Sequence, residues 1–233
     1  MPKAITHRRL FALSGIVPLG VFVAVHLLAA ATGVGGEARF TRTFSHGVGT
    51  TVAIVLFVLV PLAFHATYGV AFAARAPRER PLPTWRPGLR RAAAWGTFAF
   101  VVVHGIELPL RVWTGRVAEG SLFDLVSAHL SSTWHGVPLV ALLYLLGVAA
   151  TLAHLALELW AFFPAAGVVL AHGGRRALAW SLVGGATALF LVAANTVVFF
   201  ATGARLVGSG PPAFVPDGPP APPCSSNGQM APK

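Results

Sequence analysis

Residues 10–31, LFALSGIVPLGVFVAVHLLAAA, run without an Asp, Glu, Lys or Arg. A helix rises ~1.5 Å per residue, so roughly 20 apolar residues cross the ~30 Å hydrocarbon core of a bilayer. Ser14 can return its hydroxyl to its own helix; the one side chain in this run whose polar atoms need a partner from elsewhere is that of His26. Four more apolar segments follow, at about Val48–Ala74, Leu89–Trp113, Trp134–Phe163 and Ala177–Thr202. Three of them also carry a deep histidine: His65, His104 and His154.

The whole chain agrees with that start. Of its 233 residues 55% are hydrophobic and 10% charged, and the mean hydropathy is +0.72. A soluble domain carries roughly 25% charged residues. The expected fold is therefore all-α: an integral membrane bundle of five transmembrane helices, the open-chain solution that satisfies every backbone group internally. Pro18 and Pro61 should kink the first two helices. The first segment is too long for the apolar stretch of a cleaved signal peptide and leads into no soluble domain. Residues 1–206 form the expected membrane unit. Residues 207–233 are rich in Pro, Gly and Ser and should be a disordered tail.

The formal charge of +10 would suggest nucleic-acid binding in a soluble protein. Here no aromatic residues interleave with the basic ones, which gather between apolar segments, so no nucleic-acid partner is expected. Eleven Lys and Arg fall at the amino-terminal end and in the second and fourth connections, against six on the other side. By the positive-inside rule the amino terminus is cytoplasmic and the carboxyl terminus outside. The single cysteine, Cys224, excludes an internal disulfide, a Cys-rich metal site and the C-x-x-C-H attachment of a covalent haem. No phosphate-binding loop or nucleophile constellation is present.

A histidine inside a bilayer needs a partner. Four, one per helix, suggest two pairs of axial ligands for two non-covalent haems. Depth sorts them. His26 lies 17 residues beyond Arg9 and His104 13 beyond Arg91, on helices rising from the cytoplasm; that is ~26 and ~20 Å up, toward the outer side. His65 follows Val48 by 17 residues and His154 follows Trp134 by 20, on descending helices; both fall ~26–30 Å down, toward the inner side. The expected pairs are His26 with His104 and His65 with His154. Neutral imidazole suits iron, and two imidazoles leave no open coordination position, which favours electron transfer. Gly15, Gly20, Gly69, Gly96 and Gly147 lie near these histidines. They are expected either to admit a haem face close to the backbone or to serve helix–helix packing.

The stretches HRRLFALSGIVPLGVFVAVHLL (7–28), PLAFHATYGV (61–70), LRRAAAWGTFAFVVVHGIEL (89–108) and LGVAATLAHLALELWAF (146–162) resemble the cytochrome b subunit of succinate dehydrogenase. The type is the single-anchor, five-helix, dihaem cytochrome b558 class shared with certain fumarate reductases. The resemblance runs from about His7 to Leu206 and implies two haem b groups on His26, His65, His104 and His154, paired as above. It also implies a flavoprotein and an iron–sulfur partner on the cytoplasmic side of a bacterial cytoplasmic membrane. The basic second connection and Arg175 and Arg176 would contribute to their docking, or serve only the positive-inside signal. Succinate would be oxidised at the partner's flavin, and electrons would pass through iron–sulfur clusters and the inner and outer haems to a quinone, menaquinone rather than ubiquinone. The chain itself would perform no succinate chemistry.

Two carboxylates lie at membrane depth, Glu107 and Glu158, and such groups are functional candidates by default. Glu107, three residues after His104, could exchange protons with a quinone, or pair with Arg111. Glu158 is expected to pair with a loop arginine. Among the histidines outside the deep set, His7, His129, His135 and His172 are expected to be solvated, and His46 is a second quinone-site candidate. Arg8, Arg9, Arg90 and Arg91 could meet haem propionates through their planar forks or anchor the interface. Two other readings fit the composition: a dihaem cytochrome b serving fumarate reductase, a hydrogenase or another quinone-linked dehydrogenase, and a haem-free helical transporter or scaffold.

Overall fold

The computed structural model describes residues 2–45, 47–75, 85–114, 122–168 and 170–207. Eight helices account for almost all of them: α1 (Pro2–Ala31), α2 (Glu37–Phe44), α3 (Val48–Ile54), α4 (Val60–Arg75), α5 (Trp85–Trp113), α6 (Leu122–Ser131), α7 (Leu139–Ala165) and α8 (His172–Thr202). No strand occurs among the described residues, only an isolated bridge between Trp134 and Val137. The expected tail lies outside the described residues.

Four helical stretches are long and apolar enough to cross a membrane: Leu10–Gly35, Val48–Ala73, Leu139–Pro164 and His172–Thr202. The fifth expected span corresponds to α5, a 29-residue helix with Arg90 and Arg91 near its start and Glu107 near its end. Its uncharged stretch, from Ala92 to Ile106, is the shortest of the five. The outer faces explain how such helices sit in lipid. On α1 the exposed large side chains are Leu10, Leu13, Val17, Val21, Val25 and Leu28, a stripe at helical spacing that water would not tolerate. Leu139, Leu142, Leu143 and Leu146 make a similar stripe on α7.

Inside the bundle α7 packs on α5, α8 and α1, while α4 packs on α1. Leu27, Val148, Leu152 and Ala193 form one core cluster. Buried threonines satisfy their hydroxyls one turn back: Thr97 donates to the Ala93 carbonyl at 2.8 Å and Thr151 to that of Gly147 at 2.8 Å. That is the usual solution where water is absent.

Two short helices, α2 and α6, close one end of the bundle. Phe40 from α2, Phe123 and Leu130 from α6, and Phe199 and Phe200 from α8 form a second cluster there. This end is the one expected to lie outside.

The prolines act differently from one another. α1 continues through Pro18. Ahead of Pro61 the backbone widens into a π turn over Val55–Leu59, which accommodates a residue with no N–H and a ring that would crowd the carbonyl four residues back.

The fourth segment starts later than expected. Residues 134–138 are a tight turn: Trp134 N–H donates to the Val137 carbonyl at 2.9 Å and Val137 N–H to that of Trp134 at 3.0 Å. His135 and Gly136 both have positive φ, 50° and 79°, the pattern of a two-residue reversal. Pro138 then caps α7. His154 is thus fifteen positions into its helix, about 22 Å, and not the ~30 Å expected from Trp134.

Candidate functional site

The four deep histidines meet in two pairs at two levels. His26 on α1 and His104 on α5 have ring centroids 5.8 Å apart, planes inclined by 64°. His65 on α4 and His154 on α7 are 6.4 Å apart, inclined by 59°. The first pair lies toward the α2/α6 end, where Phe44 of α2 sets its ring edge-on to His26 at 5.9 Å.

Each ring is held by its surroundings. His65 stacks on Phe11 with centroids 4.4 Å apart and planes 5° from parallel. Its Nδ1 donates to the Phe11 carbonyl at 3.0 Å, which keeps the proton on Nδ1 and leaves the Nε2 lone pair available. His104 stacks on Phe100 at 5.3 Å and 8°, and its Nδ1 shares a 3.1 Å hydrogen bond with the Tyr144 hydroxyl. His26 stacks on Phe22 at 5.2 Å. His154 Nδ1 is buried without a hydrogen-bond partner.

Several of the glycines lie close to neighbouring side chains. A Cβ on Gly15 would strike the His65 ring, and one on Gly147 the Phe100 ring. Gly20 lies against Leu155, Gly69 against Phe11 and Gly96 against Ala150.

The donor chemistry suits an iron macrocycle with two axial imidazoles. Metal–imidazole bonds are about 2 Å long, so two imidazoles facing across one metal have centroids about 6 Å apart. Both pairs have that spacing. Among the described residues no group of three or more His, Cys, Asp or Glu could hold a bare metal ion. A small cavity of about 10 Å³ adjoins the His65/His154 pair, lined by Gly15, Leu19, Leu155 and Glu158 among others. That is far below the ~300–1,000 Å³ of ordinary ligand pockets, so the helices and apolar side chains such as Leu155 would have to move apart to admit a macrocycle.

Polar neighbours complete each level. Glu158 accepts from Arg90 Nε and Nη2, both at 2.7 Å, and lies 4.0 Å from His154 Nδ1. Arg90 therefore directs Nε and Nη2 to a protein carboxylate. At the other level Glu107 Oε2 lies 3.4 Å from His129 Nε2, and the His129 ring meets Tyr144 edge-on at 6.0 Å. His129, expected to be solvated, is instead part of this cluster. Tyr144 was not singled out by sequence; its place near the start of a span bearing His154, one turn before Gly147, was the available signal. Arg111 and His46 lie outside the described side chains, as do His7, Arg8 and Arg9. His135 and His172 are exposed, Arg91 is exposed, and Arg175 lies over the Trp160 ring at 5.9 Å.

The fold and site define a class: a helical membrane bundle with two facing histidine pairs stacked along its length. The chain is similar to the succinate dehydrogenase cytochrome b558 subunit of Bacillus subtilis (strain 168), with 29% identity over 176 residues, 72% of this chain and 83% of that protein. No family model matches, and no solved structure matches.

Proposed function

We propose that the chain is the dihaem cytochrome b membrane anchor of a succinate dehydrogenase. The observation that carries this is the convergence of His26 with His104 and of His65 with His154 at iron-spanning distance, in a chain similar to a cytochrome b558 subunit. On this reading α5 is a fifth span, the amino terminus is cytoplasmic, and the protein lies in a bacterial cytoplasmic membrane. A flavoprotein and an iron–sulfur protein dock on the cytoplasmic side.

Haem b bound at each pair would supply one-electron transfer between the iron–sulfur partner and a membrane quinone, menaquinone by preference. The chain's residues do the rest. His65 and His104 present Nε2 because Phe11 and Tyr144 occupy Nδ1. Phe11, Phe22 and Phe100 fix ring orientation by stacking. The apolar walls exclude water and keep the site dry. Glu107, backed by His129, is the group placed to give or take a proton from a quinone at the α2/α6 end, with His46 as a second candidate. Residues 1–206 act as one membrane unit, and residues 207–233 carry no part of the chemistry.

Pyridine haemochrome quantitation on the purified chain tests this, beside co-purification with the partner subunits. Two b haems per chain and quinone reduction that depends on them support the proposal. A complex that reduces quinone at full rate without haem refutes it.

A further inference from the structure

Arg90 and Glu158 stand on different helices, α5 and α7, yet make a two-pronged ion pair with both contacts at 2.7 Å. Glu158 has only 18% of its side chain exposed. A pair in this position could merely tie α5 to α7. Two further observations give it a direction. Glu158 follows His154 by one helical turn, with Oε1 4.0 Å from Nδ1. That same Nδ1 is buried and has no hydrogen-bond partner.

We propose that Glu158 is a positioning residue for His154, held in place by Arg90. The inference rests on the haem reading above and deepens it. A ligating histidine usually donates its second ring N–H to a carboxylate, carbonyl or water, which fixes the tautomer and raises the basicity of the ligating nitrogen. His65 already has such a partner in the Phe11 carbonyl. His154 lacks one at 4.0 Å, and a ring movement of about 1 Å closes the contact to hydrogen-bond length. Arg90 matters because a lone glutamate near the end of a span would swing toward the headgroups; two parallel N–H···O bonds hold it level with the imidazole. The other level is built differently. There His104 Nδ1 meets the phenol of Tyr144, and the carboxylate, Glu107, faces His129.

The consequence is a difference between the two levels. A carboxylate on the Nδ1–H of His154 favours the oxidised, more positive metal at the His65/His154 site. Removing it favours the reduced form, and removing Arg90, which lets the carboxylate swing away from the ring, acts in the same direction.

The test is a redox titration of the full-length, haem-loaded chain in membranes. Wild type, Glu158→Gln and Arg90→Gln are compared, with His65→Ala identifying which step belongs to which haem. In Glu158→Gln the reduced-to-oxidised ratio of the His65/His154 haem at fixed potential should rise about tenfold, equivalent to about 59 mV for one electron. In Arg90→Gln it should also rise, by a smaller factor, while the His26/His104 haem stays put. The low-spin EPR signal of the shifted haem should move in Glu158→Gln and return toward wild type in Glu158→Asp. Should Glu158→Gln not fold, Arg90→Gln reads the same contact with the carboxylate intact. Two haems with unchanged ratios, or both haems moving alike, overturn this inference alone. A folded wild type without haem overturns the functional reading as well.

Discussion

Gly15→Ala isolates one level of the bundle with a single methyl group. An alanine Cβ at position 15 would sit 2.5 Å from His65 Nδ1 and 2.8 Å from Nε2. Ordinary carbon contacts are about 3.5–4.0 Å, so the ring must retreat by about 1 Å. It has little room to do so, because Phe11 stacks on it and the Phe11 carbonyl holds its Nδ1. Overpacking of this kind costs about 1–3 kcal/mol, and breaking the hydrogen bond adds about 0.5–1.5 kcal/mol. Since each 1.4 kcal/mol is tenfold in an equilibrium constant, haem retention at His65/His154 should fall by at least about tenfold. Two companions make the reasoning specific. Gly147→Ala strikes the Phe100 ring that stacks on His104 and should weaken the other site. At Gly69 the added Cβ would lie 3.7 Å from Phe11, an ordinary contact, so Gly69→Ala should retain both haems. Haem per chain by pyridine haemochrome, with thermal unfolding in detergent, reads all three. If Gly15→Ala keeps two haems and wild-type unfolding, the packing account of His65 is wrong.

Further outcomes follow from the same geometry. His65→Ala and His104→Ala should each lose one haem, and a different one, in reduced-minus-oxidised spectra. Tyr144→Phe removes the hydroxyl partner of His104; it should lower stability by about 0.5–1.5 kcal/mol and shift the midpoint of the His26/His104 haem alone in a redox titration. Glu107→Gln should slow quinone reduction and change its pH profile while haem content holds; an unaltered rate and profile would remove Glu107 from the quinone chemistry. Phe199→Ala empties a fully buried position in the α2/α6/α8 cluster and should cost about 3–5 kcal/mol, measured by unfolding.

The all-helical architecture and four long apolar helices were legible in the sequence, because length and apolarity are local properties. Rise per residue also led to the pairing of His26 with His104 and of His65 with His154, the same rings that the structure brings together. Sequence erred at residues 134–138, where apolar Trp134 and Val137 masked a His–Gly reversal; hydropathy does not register φ. It was silent on rotation about each helix axis, and the tertiary structure decided everything that depends on it. The bond between His104 and Tyr144 spans 40 residues and that between Arg90 and Glu158 spans 68. No periodicity links such positions. Only the packing of α5 against α7 brings Tyr144 to His104 and Arg90 to Glu158.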